Sequence, residues 1–484
     1  MRRKRHNLLL LGLLVTVSGC AVGPRYVAPV SQTPINFNGA AAVAARPVGT
    51  NTVDMVNWWQ SFHDPLLVGY VERALAQNLD LQQARARVLQ ARAALRAANA
   101  ELLPSGQVAG QVGENYQSLE TPIGRIGSVF PQYERATETY ELNLTASWEL
   151  DLFGGRDAAR DAARAEWQAS AAGAVASRLA VAAQTADTYI QIRSLQARLD
   201  VAKAQTRTQQ SLVDLITLQY RKGIAAELQV RQAEGAAAQV RSTLPAIQNE
   251  LEIAMNALDV LVGDQPGSSR ATLSVPAAIP CPPGISTAGG PAELLRRRPD
   301  IIAAERTLAA SNARVDVAIS EYYPKFTLSG LLGTATTAAG GLFSGNATQG
   351  NGILGLRWRL FDFGRVDAEI KAARGRNAEA LAAYRLAVLK ASQDVENAFS
   401  TLVQQEARAA MLTQGETALS RARDTSNQAY RGGVISLIEV LDADRRLLET
   451  RDSAIQARTA ASRGAVASFR ALGGGWNPTE VASR

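Results

Sequence analysis

Few side chains in this 484-residue chain are of the kinds that make and break bonds. His6 and His63 are its only histidines, and Cys20 and Cys281 its only cysteines. It has no GxSxG, no HExxH and no GxxxxGK[ST], so the nucleophile elbow, the zinc-protease helix and the phosphate loop are all missing. Cys281 lies in CPPG with no second Cys or His nearby, which leaves it without partners for a metal cluster and reads as a structural loop position. His63 reads as a surface loop residue. Scattered Asp and Glu on helical stretches read as salt-bridging surface. The chain is therefore expected not to be an enzyme and to carry no metal, and the chemistry that remains is the placement of charge along a surface.

One stretch places charge with strict regularity. From Tyr140 to Leu152, the residues Tyr140, Leu142, Leu144, Ala146, Trp148, Leu150 and Leu152 fall on one face, and Glu141, Asn143, Thr145, Ser147, Glu149 and Asp151 on the other. Period-two alternation of this length predicts a β-strand with one apolar and one polar face. A strand crossing a bilayer needs roughly 9–11 residues with lipid-facing and lumen-facing positions alternating. Gly154-Gly155 ends it, and a long Ala/Arg/Gln-rich helix follows at once.

Composition fits this. Hydrophobic residues make up 46% of the chain but aromatics only 6%, which suits closely packed helices better than a large aromatic core. The formal charge of +7 includes Arg2, Arg3, Lys4 and Arg5; without these four it is +3, with acids and bases interspersed, so nucleic acid is not an expected partner. The basic run, the apolar run from Leu8 to Val17 and the sequence Val17-Ser18-Gly19-Cys20 read as a secretory signal peptide (1–19), too short in its apolar part to span a bilayer. Small residues before Cys20 resemble the cleavage box of bacterial lipoproteins. That resemblance implies an N-acyl diacylglyceryl lipid on Cys20, no other cofactor, and, with Ala21 rather than Asp next, the outer membrane.

Residues 20–64, with Pro24, Pro29, Pro34 and Pro47, read as a lipidated, extended tether ending near the Trp pair of NWWQSFHDPLL. A helix is predicted over 66–103, broken at Pro104-Ser105-Gly106, and a weaker alternation follows in which Val108, Gly110 and Val112 oppose Gln107, Ala109 and Gln111. Residues 114–137 form a loop. The next helix runs from Arg156 to about Lys222, roughly 100 Å at 1.5 Å per residue. It turns at Gly223 and returns to about Val262, with a kink expected at Pro245. Residues 264–291 form an equatorial linker.

The plan then recurs. A helix over 294–324 ends at a proline, KFTLSGLLG opens a third strand, and GILGLRWRLFDFGR supplies a fourth with Leu354, Leu356, Trp358 and Leu360 outward. A helix from about Val366 to Tyr430 turns at Gly432-Gly433 and returns to about Leu472, before a tail over 473–484. Trp358 follows Trp148, and Tyr430 follows Tyr220, by the same 210 residues. The chain is a tandem duplication, with repeats at 65–263 and 292–472.

Four strands cannot close a barrel, because lipid offers no partner for unpaired edges and closed barrels begin at about eight strands. A dimer's eight-stranded interior would be filled by side chains. A homotrimer gives twelve strands and an open lumen lined by Glu141, Glu149, Asp151, Arg357 and Arg359. The expected fold is thus α plus transmembrane β: four membrane strands and long antiparallel coiled-coil helices per chain, forming a trimeric twelve-stranded β-barrel continuous with a periplasmic α-barrel.

The cleavage box, NWWQSFHDP, the two strand-end motifs WELDLFGGR and WRLFDFGR, RPDI at 298–301 and the terminal ALGGGW together resemble the outer-membrane efflux lipoproteins of the TolC/NodT family. The resemblance covers essentially the whole chain after Cys20. It implies a passive exit duct for drugs or other toxic small molecules, working with a periplasmic adaptor and an inner-membrane transporter. It also implies a periplasmic gate at the hairpin tips, where Tyr430, Ile438 and Asp442 match the constricting positions and Tyr220 and Leu228 stand in the first repeat, with Gln232 where a second carboxylate would be. Ile438 departs from the usual Leu. Arg221 and Arg431 are the nearest candidates for arginine links to Asp442. Asp442, Asp444, Arg445 and Arg446 could equally form a solvated helix face, and both tyrosines could simply pack the tips. A type I protein-secretion duct and a lipid-anchored periplasmic coiled-coil adaptor are the rival readings; the membrane-length strands argue against the adaptor.

Overall fold

A computed structural model describes residues 23, 26–30, 34, 36–47, 54–286 and 290–477. Cys20 and the signal segment lie outside the described residues. The chain divides into two compact units. One contains Leu89–Gln168 and Glu305–Ala382, the other Val30–Val88, Ala169–Ala304 and the chain from Ala383 onward.

The first unit holds a single four-stranded sheet. Its strands are β1 (Ser105–Tyr116), β2 (Ala136–Leu150), β3 (Lys325–Thr336) and β4 (Thr348–Arg357), in the order β1-β2-β3-β4 and antiparallel throughout. Directly opposed residues share a face. Val108, Leu144 and Leu332 form one row across three strands, and Trp148, Leu328 and Leu354 another. The opposite face carries Gln107 beside Thr145, Asn143 beside Gly333 and Gln349, and Ser147 beside Ser329. Neither face is buried: Val108, Leu332 and Leu354 are 69%, 62% and 68% exposed. A continuous leucine and valine face left open to this degree needs an apolar surrounding.

Helices enter and leave the sheet. α2 (Leu79–Ala100) leads into β1, and α3 (Gly155–Arg221) leaves β2. α6 (Pro299–Ser320) leads into β3, and α7 (Arg365–Arg431) leaves β4. Within this unit α3 meets α2 through Arg156 and Glu101 (3.4 Å), α6 meets α3 through Arg306 and Gln168 (3.3 Å), and Ser311 of α6 bonds Asn377 of α7 (2.9 Å). The helices therefore follow the strand order.

The second unit is a layer of helices: α3 and α7 continue into it, and α4 (Glu227–Leu261) and α8 (Leu437–Ala471) return alongside them. α3 lies between α4 and α8. Arg241 reaches Gln210 on one side (2.9 Å), while Asp187–Arg463 (2.6 Å), Ser194–Thr459 (2.7 Å) and Arg198–Asp452 (2.6 Å) join the other, running antiparallel. α7 covers the far side of α8, with Glu416 on Arg451 (3.1 Å). At the base of the layer Trp58, Trp59, Phe62, Tyr70 and Phe469 are buried among Ile190, Leu195 and Leu258, with Trp58 stacked on Phe469 at 5.3 Å. ALGGGW closes this core. Gly473, at φ +75, passes so close to the Arg297 carbonyl that a Cβ would clash, and Trp476 Nε1 donates to that same oxygen (3.0 Å).

The repeat is metrically tight. α3 and α7 each have 67 residues, α4 and α8 each 35, and α2 and α6 each 22. From β2 onward corresponding positions are 210 apart, and in the helix and strand before it they are 220 apart. Ser105 pairs with Ser147, and Lys325 with Arg357, in that same double offset.

Several expectations need correction. The helix expected over 66–103 breaks at Asn78 into α1 (Pro65–Gln77) and α2. The Asn78 side chain donates to the Leu261 carbonyl (2.8 Å) and accepts from the Leu81 amide (3.1 Å), capping the second piece. The helix over 294–324 breaks likewise at Arg298, which precedes a proline and so leaves the α region, giving α5 (Gly290–Arg297) and α6. The described part of the tether is packed, not free. Phe37 sits edge-on to Phe399 (5.7 Å), and Arg46 is clasped by Glu406 (2.6 Å) and the Pro283 carbonyl (3.1 Å). β4 ends at Arg357, so Trp358, Arg359 and Leu360 lie beyond it. Asp151 lies past β2 and caps α3, accepting from the amides of Arg156 (3.2 Å) and Asp157 (2.7 Å).

Arg298 explains why RPDI carries two charges. Its buried guanidinium bonds Asp300 (2.6 Å), Asp394 (2.9 Å) and the carbonyls of Ala391 and Ala471, so it locks the α5–α6 break onto α7 and α8. Burial works against its charge, and the two carboxylates outweigh that and hold it protonated. Arg298→Ala leaves Asp300 and Asp394 facing each other without their cation. Both carboxylates are nearly half exposed, so the expected loss is about 1–3 kcal/mol, read as a lower midpoint of thermal unfolding of the detergent-purified protein.

Candidate functional site at the helical hairpin tips

The two hairpins end alike. α3 stops at Arg221 and α4 starts at Glu227, while α7 stops at Arg431 and α8 starts at Leu437. Gly223 (φ +74) and Gly433 (φ +73) supply the left-handed residue that lets the Ile224 and Val434 amides fold back on the Gln219 and Ala429 carbonyls (2.8 and 2.9 Å). Glu439 caps the start of α8 by accepting from the Ser436 amide (2.7 Å).

A small core ties the tips together. Leu212, Ile216, Val230, Ala233, Leu437 and Val440 are buried, and Tyr430 packs against them. The Tyr430 hydroxyl donates to Gln219 Oε1 (3.0 Å), a bond from α7 to α3 and so from one hairpin to the other. Burial raises its pKa, which keeps it a donor at neutral pH. Tyr220, its counterpart, is 46% exposed, so the two tyrosines do different work. Leu228 and Ile438 are exposed as well.

Asp442 lies one turn from Ile438, clasped from its own helix by Arg445 and Arg446 (2.6 Å each). The Arg445 bond, with Arg446 behind it, holds its carboxyl below the usual range, so it stays ionised. Arg221 and Arg431 are both exposed and, among the described residues, form no ion pair with it. The links expected from them within one chain come from Arg445 and Arg446 instead. Arg445 and Arg446 are themselves exposed, as the solvated-face alternative expects, whereas the Gln219 contact is one that the sequence reading missed.

Asp444 does not belong to a solvated face either. It is 1% exposed and turned into the α3–α8 seam, where Gln209 Nε2 donates to Oδ2 (3.3 Å). Its Oδ1, Gln209 Oε1 and Gln205 Nε2 are buried with no partner among the described residues. Burial raises the Asp444 pKa, with Arg423 opposing and Asp424 adding to it. The signal was present, since Leu437, Val440, Asp444 and Leu447 follow the three-four spacing of a coiled-coil seam.

At the sheet end, Glu149, Asp151 and Arg357 come together with Arg156 and Lys325 around one cavity of 270 Å³. Glu149 accepts from Arg156 (3.2 Å). Glu141 stands further along β2 and accepts from Asn143 (3.1 Å), while Arg359 pairs with Glu321 (3.1 Å) and Glu369. His63 and Cys281 line a separate open cavity of 900 Å³. Among the described residues no three His, Cys, Asp or Glu side chains are grouped to hold a metal, and no helix is long and apolar enough to cross a membrane.

A family model described as "Outer membrane efflux protein" matches residues 70–264 and 290–474, which are the two repeats. The chain belongs to the outer membrane efflux protein family. It is 30% identical over 470 residues to the pyoverdine export outer membrane protein OpmQ of Pseudomonas aeruginosa, covering 97% of each chain. It is 30% identical to nodulation protein T of Rhizobium leguminosarum bv. trifolii across the full length of both. Its fold matches the solved outer-membrane channel OprN with a TM-score of 0.84 at 32% identity, over 94% of this chain and 100% of that one. This efflux protein is thus an outer-membrane channel component extending into the periplasm, with a mostly helical fold carrying a few strands, and it is not an enzyme.

For Asp444 the pH dependence has a defined sign. A carboxyl with a raised folded pKa binds its proton more tightly folded than unfolded, so its contribution to stability is full at low pH and is lost as pH rises through the folded value. Asp444→Asn should therefore raise the unfolding midpoint at pH 7, by about 1–3 kcal/mol if the orphaned charge is the cause, with the advantage shrinking as the buffer is taken down through the carboxylate range.

Proposed function

We propose that three copies of this efflux protein form one passive channel, the outer-membrane exit duct of a tripartite pump exporting drugs or other toxic small molecules. The observation that carries this is the sheet. Its four strands have 12, 15, 12 and 10 residues, one face is apolar and exposed, and β1 and β4 have no neighbour on their outer edges. Lipid cannot satisfy such edges, and twelve strands from three chains are the first closure that leaves a lumen. The polar face, with Glu141, Glu149 and Arg357, then lines that lumen, and the lipid faces the valine and leucine rows. A lipid on Cys20 adds a second anchor.

Energy comes from an inner-membrane transporter, reached through a periplasmic adaptor. The hairpin tips form the periplasmic gate. Tyr430, Ile438 and Asp442, together with Tyr220 and Leu228, narrow it, and the ionised Asp442 carboxylates of three copies favour cations. Arg221 and Arg431, exposed and without an ion pair among the described residues, are available to a neighbouring copy. The relative OpmQ is named for the export of pyoverdine, which supports a small-molecule cargo over a secreted protein.

Conductance of the purified protein in planar bilayers tests this reading. Tyr430→Ala with Asp442→Ala should raise single-channel conductance several-fold, because the α7–α3 link and the carboxylate ring are lost together. Asp442→Asn alone should reduce cation selectivity. Unchanged conductance would remove the gate assignment, and a protein that forms no channel at all would sink the duct.

A further inference from the structure

Asp444 brings a carboxylate into the apolar seam of α8, between Val440 and Leu447, and is 1% exposed. Gln209 of α3, 3% exposed, faces it, and the two groups share one bond, Gln209 Nε2 donating to Asp444 Oδ2 at 3.3 Å. The remaining atoms of the same two groups are Asp444 Oδ1 and Gln209 Oε1. Both are buried, and both are without a partner among the described residues. With the carboxylate ionised both are acceptors, so neither can satisfy the other. A single hydrogen placed between them serves both.

Resting on the gate reading above, we propose that Asp444 and Gln209 form a proton-operated latch: a proton taken from solvent onto Asp444 Oδ1 is donated to Gln209 Oε1 and seals α3 against α8 beside the gate. The acid and the amide then make two bonds where the charged pair makes one, and no charge remains between them. When the proton leaves, the carboxylate keeps only the Gln209 donor, and a charge stands among apolar neighbours until water enters to solvate it. The surroundings suit such a switch. α3 presents two amides, Gln209 and, one turn away, Gln205, neither of which carries charge. From α7 come Arg423, which favours the carboxylate, and Asp424, which opposes it, and these two pair with each other at 3.0 Å. On α8 itself Arg445 and Arg446 are turned to Asp442. Burial therefore dominates and raises the Asp444 pKa. The sign follows: the neutral, sealed form prevails in acid and is lost as pH rises through the folded value. The position is also right for acting on the tips. Val440, one turn from Asp444, belongs to the tip core with Leu212 and Ile216 of α3, and Asp442 lies two residues away. Acid thus narrows the passage, and neutral pH loosens it.

Conductance of the purified protein in planar bilayers, taken from about pH 7.5 down to about pH 4.5, reads the latch. The wild type should lose conductance several-fold on acidification. Asp444→Asn puts a donor and an acceptor where the protonated acid has them, so it should keep the low conductance throughout. Asp316, which burial pushes up to about 6, titrates in both proteins, so the difference between them belongs to Asp444. Gln209→Glu sets a second carboxyl against the first. Two acids sharing one proton hold it to higher pH, and the conductance step should move up with it. Infrared difference spectra over the same range should show the carbonyl stretch of a buried protonated carboxyl growing in as pH falls, and Asp444→Asn should lack that band. Matching pH profiles in wild type and Asp444→Asn, or a Gln209→Glu step at the wild-type position, overturn the latch. An infrared band that titrates without a conductance step overturns its coupling to the gate, provided that Tyr430→Ala with Asp442→Ala still raises conductance. Where that double variant also leaves conductance unchanged, the gate assignment has failed and not the proton site.

Discussion

A backbone amide in hydrocarbon must find its partner within protein, and most of this structure answers to that requirement. Inside one chain the requirement is met three times, at β1–β2, β2–β3 and β3–β4. It is left open at two edges. The strands are of membrane length, and their apolar face is exposed. The open edges are the part of the fold that the proposed trimer would complete.

The same constraint shapes the helices. Each strand runs into a helix through a short joint held by polar contacts. Trp148 and Trp358 bond backward to the preceding helix ends, and Asp151 and Asp362 cap the helices that follow. Strand order thereby becomes helix order, and a sheet meant to curl into a barrel hands its arrangement to a layer of helices. Lower down, that layer is stitched by ion pairs and hydroxyl contacts between α3 and α8 and gives way to a small apolar knot at the tips. Asp444 interrupts the seam with a buried carboxylate whose second oxygen has no partner among the described residues, placing a weak point two residues from Asp442.

Much of this could be read from the residues. Strict alternation from Tyr140 onward fixed a strand and both of its faces, and paired WELDLFGGR/WRLFDFGR and Tyr220/Tyr430 motifs fixed the repeat. Glycines at 223 and 432–433 fixed the turns. What stayed hidden depended on partners remote in sequence. Asn78 interrupts a helix where the Leu261 carbonyl waits for it across the fold, which no local propensity announces, and Arg298, marked locally by the proline after it, is held by the remote Asp394. The segment 36–47 looked free because its anchors, Phe399 and Glu406, are more than 350 residues away. Trp358 and Leu360 alternate correctly with Leu354 and Leu356, yet the strand ends before them at Arg357.

The central claim is that three copies close one barrel, and the mass of the intact particle tests it most directly. Native mass spectrometry of the protein extracted from outer membranes in mild detergent should give three chains, each carrying the mass of its processed, lipidated N-terminus. A monomer, or a stable particle of two or four chains, would contradict the account.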